Sequence, residues 1–379
     1  MIGTRLRQAL ATALLLGCGG SPAPVPSPEP EPSAPPRETV PRPLPPPGAV
    51  ARSVTLFFGT DRAPDGREAL RFGTAAGELA VGTARVSVPL DRVARPTGTL
   101  PDLPSTLGVR RPPSPARDIF VERVQPMGEV YWDDAVRDEL RHDSTRTVLV
   151  FVHGFATPFE QALRRAAQLA ADLPFEGAMV VYSWPSLGEV GPLAYFRDDN
   201  TIAASQSVLR AFLERVVERT GAERVSVVAH SMGALLVART LKELHDARPG
   251  VRFDQVVLGA PDIDTTSFRR ALAPALAGAA RRVTIYASQN DRALAMAERA
   301  SSYPRVGQAG PGLLLLPGLD VVDASAAEPG DFGHGYLGSS SAMLADLRAV
   351  LAGVPAPARR LERRQRAGLT YWVLLGDAR

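Results

Sequence analysis

Ser231 lies where the chain changes character on both sides of it. Residues 224–229 (RVSVVA) form a short apolar run rich in β-branched side chains, the composition of a buried strand. From Ala234 the pattern becomes that of a helix rich in Ala and Leu. Between the two stands His230-Ser231-Met232-Gly233, so the serine falls on a tight turn at the carboxyl end of the strand, with the small residues Ala229 and Gly233 two places to either side. A serine in that position is a candidate nucleophile, and the Met232 amide, at the start of the helix, is a candidate donor to an oxyanion. The same letters also fit an ordinary strand-to-helix turn in which Ser231 caps the helix. A serine hydroxyl is a poor nucleophile at neutral pH: a histidine must take its proton and an acid must orient that histidine.

The elements that must bring such partners together follow a regular alternation. Strand-like runs at 146–152, 178–183, 253–258, 282–286 and 319–322 alternate with helical stretches at 132–141, 161–173, 205–219 and 341–351. That spacing predicts an α/β protein with a mostly parallel sheet covered by helices on both faces. The strand-end loops carry the candidates. His153-Gly154-Phe155 follows the first run, Asp262 and Asp264 follow the fourth strand, Asp291 stands just past the fifth, and His334 lies between two glycines in a later loop. Asp264 is also placed to cap a helix starting near Thr265. The irregular stretch 184–200 offers Trp184, Tyr195 and Phe196, either as a pocket wall over the strand ends or as plain cover for an apolar sheet edge. The other histidines, His142, His153, His230 and His245, are rivals for the base. Asp262 is the second choice for the acid, ahead of Asp264, Asp320 and Asp323.

The A-H-S-M-G stretch resembles the nucleophile elbow of the α/β-hydrolase fold, with Ala229 in place of the first glycine of G-x-S-x-G. In that fold the acid and histidine follow the serine in the order Ser, Asp, His, which here is Ser231, Asp291, His334. The resemblance implies that Ser231 is the nucleophile, His334 the general base and then acid, and Asp291 the residue that orients the imidazole. It also implies that the loop at His153-Gly154-Phe155 supplies a second oxyanion donor, the Phe155 amide, beside that of Met232, with His153 structural. The segment Phe58-Gly59-Thr60-Asp61-Arg62 and the following GTARVSVP resemble the N-terminal region of a poorly characterised bacterial branch of these hydrolases, related to esterases and lipases, in which extra strands precede the main sheet. Here those strands are expected at 53–58, 78–81, 83–88 and 118–124. Asp61 and Arg62 are either pocket residues or a surface turn with a local ion pair. The implied activity is that of a carboxylic ester hydrolase working through an acyl-enzyme. The alternative is a catalytically silent or acyl-transferring protein of the same fold that binds an envelope component.

The remainder of the chain bears on location. Its 379 residues carry a formal net charge of +3, too little for this length to make nucleic acid a general partner. Residues 1–18 place Arg5 and Arg7 ahead of a short apolar run, as a signal peptide does, and Leu15-Leu16-Gly17-Cys18 resembles the lipobox of bacterial lipoproteins. Cys18 is the only cysteine, so lipidation there is expected, with Gly19 leaning toward the outer membrane. Residues 19–48 are a proline-dense tether, 49–358 the hydrolase domain (a strand-rich part at 49–130 and a core at 145–352), and 359–379 an arginine-rich tail. That tail is expected to be loosely packed, with an edge strand at YWVLL or contact with an anionic membrane as the other readings. The expected protein is lipid-anchored in the cell envelope, faces the periplasm and acts on a small-molecule or lipid ester. No cofactor is implied, and no spaced set of metal ligands stands out. The sequence leaves the oligomeric state open.

Overall fold

All six residues of Thr147–Val152 are buried, and they divide by pleat: Val148, Val150 and Val152 join one apolar cluster, Leu149 and Phe151 another. A strand apolar on both faces must be covered on both. In the computed structural model, which describes residues 39–41, 46, 48–66, 72–91, 105–106, 109–110, 112–327, 333–338 and 340–376, this strand lies inside an eleven-stranded sheet. The strands are β1 (Ala51–Pro64), β2 (Phe72–Pro89), β5 (Phe120–Met127), β6 (Thr147–Val152), β7 (Ala178–Ser183), β8 (Arg224–His230), β9 (Phe253–Gly259), β10 (Ala280–Ala287), β11 (Asp320–Asp323), β12 (Leu361–Arg366) and β13 (Leu369–Leu374). A separate small pair joins β3 (Ser105–Thr106) to β4 (Val109–Arg110).

The order across the sheet is β12-β13-β11-β10-β9-β8-β6-β7-β1-β2-β5. Every neighbouring pair from β13 to β1 is parallel, while β12, β2 and β5 are added antiparallel at the two ends. The expected architecture, that of the α/β-hydrolase fold with extra N-terminal strands, is therefore present. From β6 the chain steps to β7 on one side and then returns to β8 on the other. Such a reversal opens a crevice at the carboxyl ends of the strands.

One face is covered by α1 (Glu129–Glu139), α3 (Pro192–Arg219), α4 (Met232–Ala247) and α5 (Ala273–Ala279), through residues such as Trp132, Phe212, Leu236 and Leu276. The other is covered by α2 (Phe159–Asp172) and α7 (Ser341–Leu351), through Leu163, Ala166 and Leu344. The short α6 (Arg292–Ser301) buries Leu294 against the same side. Among the described residues no helix is long and apolar enough to cross a membrane.

Three expectations are corrected. Helix α3 starts at Pro192, well before position 205, so the irregular stretch ends at Gly191, whose φ is 134°. Proline is pre-shaped for the first helical position, but the first turns send Leu193 and Phe196 outward. The buried face includes Ala194 and Asp198 ahead of Ile202, Leu209 and Phe212, so the large apolar residues mark the period only from Ile202. The C-terminal stretch is not loose: β12 and β13 form a hairpin, and Val322 pairs with Trp372 in parallel register. Its Trp372 and Leu374 are buried, and Arg359, buried just before the hairpin, lies 3.3 Å from Asp346 and 3.9 Å from Asp320. In the N-terminal part, the expected runs at 78–81 and 83–88 are one strand, β2. The signal peptide, Cys18 and nearly all of the proline-rich stretch lie outside the described residues, as does most of 92–111.

Candidate active site

The turn after β8 holds Ser231 at φ 55° and ψ −126°, a conformation that costs an L-residue roughly 1–2 kcal/mol. Its surroundings fix it. The Ser231 N–H donates to Gly259 O at 2.9 Å, and its carbonyl accepts from the amides of Ala234 at 2.9 Å and Asp262 at 3.3 Å. The glycine two places on is required by contact, since a Cβ at Gly233 would stand 2.2 Å from the His153 carbonyl oxygen. A Cβ at Gly154 would likewise meet the Ser231 Cβ at 2.9 Å. The turn and the His153-Gly154-Phe155 loop are thus packed backbone to backbone. Among the described residues neither the Phe155 nor the Met232 amide donates to a protein acceptor.

Asp291 follows β10 and uses its two carboxylate oxygens for different tasks. Oδ1 caps α6 by accepting from the Leu294 N–H at 2.9 Å, and Oδ2 lies 2.8 Å from His334 Nδ1. A carboxylate only accepts, so Nδ1 carries the proton and Nε2 is left as the acceptor. Gly333 makes this pairing possible: its φ is +72°, and a Cβ there would lie 2.1 Å from the Asn290 carbonyl oxygen. The loop therefore presses against the end of β10 and delivers His334 to Asp291. His230 secures the same loop, donating from Nε2 to the His334 carbonyl oxygen at 2.9 Å, with the two rings 4.6 Å apart. Burial, reinforced by the neighbouring His334, holds the His230 pKa down to about 3, so this ring is neutral.

The second choice for the acid is held elsewhere. Asp262 Oδ2 accepts from the Tyr195 hydroxyl at 2.8 Å, and Oδ1 faces Arg305 Nε at 3.3 Å. Burial pushes its pKa up, against the pull of Arg305 and Tyr195. His153 is structural: Nδ1 donates to the Gly154 carbonyl at 2.9 Å and the ring stacks on Trp184 at 5.1 Å. Its Nε2 lies 3.1 Å from Ser183 Oγ. This second serine–histidine contact is buried beneath the loop, and Ser183 Oγ already accepts from Arg62 Nε at 3.0 Å. Trp184 is fully buried and donates to the His153 carbonyl at 2.8 Å, so it supports the loop from below. Of the three expected pocket residues only Tyr195 and Phe196 line the cavity.

Asp61 and Arg62 form neither a surface turn nor a pocket wall. Both are buried at the end of β1. Arg62 donates to Gly73 O at 2.8 Å, Ser186 O at 3.0 Å and Thr157 O at 2.8 Å, besides Ser183 Oγ. Burial lowers its pKa to about 10, with Asp61 and Asp198 opposing, so it remains a cation at neutral pH. Asp198 in turn accepts from Ser186 Oγ at 2.6 Å and the Leu187 amide at 3.0 Å. These contacts tie both loops above β6 and β7 to the extra N-terminal strand. The importance of Asp198 had no sequence signal, because its run (RDDN) looks like a solvated helix surface.

Ser231, His334, Asp262 and His230 all border one cavity of about 550 Å³, with Phe155, Leu169 and Leu337 among its apolar walls. Its size suits a small-molecule ligand. Among the described residues no group of three or more His, Cys, Asp or Glu side chains is placed to hold a metal ion.

The family described as alpha/beta hydrolase of unknown function (DUF900) matches residues 131–350. No curated protein matches the chain in sequence. Among solved structures, a candidate cell surface hydrolase from Lactobacillus plantarum WCFS1 is 12% identical, with a TM-score of 0.34 over 56% of this chain and 94% of that one. The peroxisomal alpha-beta-hydrolase Lpx1 from Saccharomyces cerevisiae is 14% identical, with a TM-score of 0.19 over 56% of this chain and 44% of that one. Neither structural likeness bears on activity.

Proposed function

We propose that this chain, which belongs to the family of α/β hydrolases of unknown function, is a serine hydrolase of carboxylic esters. The observation that carries the reading is the 2.8 Å contact between His334 Nδ1 and Asp291 Oδ2, on the cavity that also exposes the strained Ser231. In this reading the ester carbonyl lies against the Phe155 and Met232 amides. Ser231 Oγ closes on His334 Nε2 when substrate binds, as catalytic contacts commonly tighten only in the complex. His334 takes the hydroxyl proton as Oγ attacks the carbonyl carbon, the oxyanion is held by the two amides, and Asp291 stabilises the imidazolium. The intermediate expels the alcohol with the proton from His334. Water, deprotonated by His334, then cleaves the acyl-enzyme and releases the acid. The apolar cavity supports an acyl chain and hence an ester.

Labelling of the full-length chain by a fluorophosphonate tests this reading. The wild type is expected to label and Ser231→Ala and His334→Ala to lose labelling. Undiminished labelling of Ser231→Ala would overturn the assignment. Location belongs to the same proposal, with lipid on Cys18 and the domain facing the periplasm. Incorporation of labelled fatty acid, lost in Cys18→Ala, is the expected result.

A further inference from the structure

Large apolar side chains exposed one at a time are ordinary, but a contiguous set around a ligand cavity marks a contact surface. Val190 is 85% exposed, Leu193 78%, Phe196 55% and Met296 65%. Val190, Phe196 and Met296 also line the cavity that contains Ser231. Two elements build this rim: the start of α3, entered through Gly191 and Pro192, and the outer face of α6. Val190, Phe196 and Met296 are therefore both exposed to solvent and part of the cavity lining that includes the nucleophile.

Arginines flank the apolar side chains of the rim, with acids interspersed. Arg292 and Arg299 are exposed and stand four residues before and three after Met296, which puts all three on one face of α6. Arg197 follows Phe196 and is also exposed. The acids nearby are Glu189, Asp199 and Glu298, the last accepting from the neutral Gln308 amide at 2.7 Å and keeping its charge. It is therefore the position of Arg292 and Arg299 on the Met296 face, not an excess of cations, that favours headgroups there.

We propose that the cavity mouth docks on an anionic lipid surface, with Val190, Leu193, Phe196 and Met296 entering the acyl layer and Arg197, Arg292 and Arg299 meeting the headgroups, so that an acyl chain of a lipid ester passes directly to Ser231. The proposal rests on the hydrolase reading for its last step only. A folded protein on the rim would close the cavity, whereas a lipid surface supplies a chain that fills it. Exposed apolar side chains beside arginines match the two layers of a bilayer interface.

The test uses the full-length chain with Ser231→Ala and Leu193→Trp, and with Cys18→Ala so that no lipid anchor contributes to partitioning. The native tryptophans, Trp132, Trp184 and Trp372, are all buried, so the introduced indole is the one on the surface, and it lies on the rim without lining the cavity. Mixed phosphatidylcholine and phosphatidylglycerol vesicles should shift its emission to shorter wavelength, and brominated acyl chains should quench it. Arg292→Gln or Arg299→Gln should each lower partitioning about fivefold, and pure phosphatidylcholine should bind more weakly. Unchanged emission with both vesicle types would overturn docking, even if the parent chain labels at Ser231. A shift that grows with protein concentration in the absence of lipid would assign the rim to a second copy and also overturn it. A lipid-induced shift, when the parent chain with Ser231 intact never labels with fluorophosphonate, would overturn delivery to Ser231 and leave docking standing.

Discussion

Arg62 Nη2 donates to the carbonyl oxygen of Thr157 at 2.8 Å, joining the end of an added N-terminal strand to the loop that carries the Phe155 amide. The same guanidinium bonds to Ser183 at the end of β7 and to Ser186 in the loop beyond it. Arg62→Met would leave buried carbonyls without donors, at a cost of about 3 kcal/mol or more. Lysine is not expected to restore the fork of donors. If the loop is displaced by about 1 Å, kcat should fall about 100-fold with KM for a soluble ester little changed. Urea unfolding and steady-state kinetics read the two effects separately.

Gly333 offers a sharper test of how His334 is delivered. Gly333→Ala puts a Cβ 2.1 Å from the Asn290 carbonyl oxygen in a residue at φ +72°. Gly318 has φ +80° but open space around it. Gly318→Ala should therefore cost about 1 kcal/mol and leave fluorophosphonate labelling intact, while Gly333→Ala should slow labelling at least about 100-fold. Equal effects would mean that contact with Asn290 does not place the histidine.

Ser231 stores strain that glycine would release. Ser231→Gly is expected to stabilise the protein by about 1 kcal/mol while abolishing labelling. Ser231→Ala should abolish labelling with no such gain. Thermal melts of the three proteins, compared at one pH, decide it.

Acid should destabilise the protein through its buried imidazoles. Burial holds the pKa of His153 and of His230 to about 3, against about 6.5 in an unfolded chain. Between those values the unfolded state binds more protons, so stability falls as pH drops, by up to about 1.4 kcal/mol per pH unit for each ring. The raised carboxyl groups of Asp61 and Asp262 act in the opposite sense, which makes a difference measurement preferable. In urea titrations from pH 7 to pH 4, His153→Gln should start less stable yet lose stability less steeply, by the share of one ring. Parallel slopes would mean that His153 titrates normally.

The legible parts of the sequence are those whose signal is local. Strands such as Ala178–Ser183 and the helix Ser341–Leu351 coincide with their expected limits, because buried parallel strands are uninterrupted apolar runs. Asp264 does cap the turn after β9, accepting from the Ser267 amide at 2.7 Å. The pairing of Asp291 with His334 was expected from chain order. Long-range polar contacts left no such trace. Asp262 was a reasonable acid from its place after β9, but its partners Tyr195 and Arg305 come from the first turn of α3 and from the stretch after α6. Arg62 was visible only as a charge at the end of a strand, and burying it required acceptors far along the chain, such as the carbonyl of Ser186, 124 residues away. Trp184 resembled a pocket residue because aromatic loops often are, yet its ring was needed beneath His153.

The two outermost strands decide where the sheet stops. β12 turns Glu362, Arg363, Arg364 and Gln365 to solvent, and β5 carries Glu122, Arg123 and Pro126. A second copy pairing edge to edge through β12 would set arginine beside arginine, and proline withholds a donor along β5. Growth of the sheet into a ribbon of many copies is therefore blocked at both margins, and crowding of these domains should not nucleate fibrils through either edge.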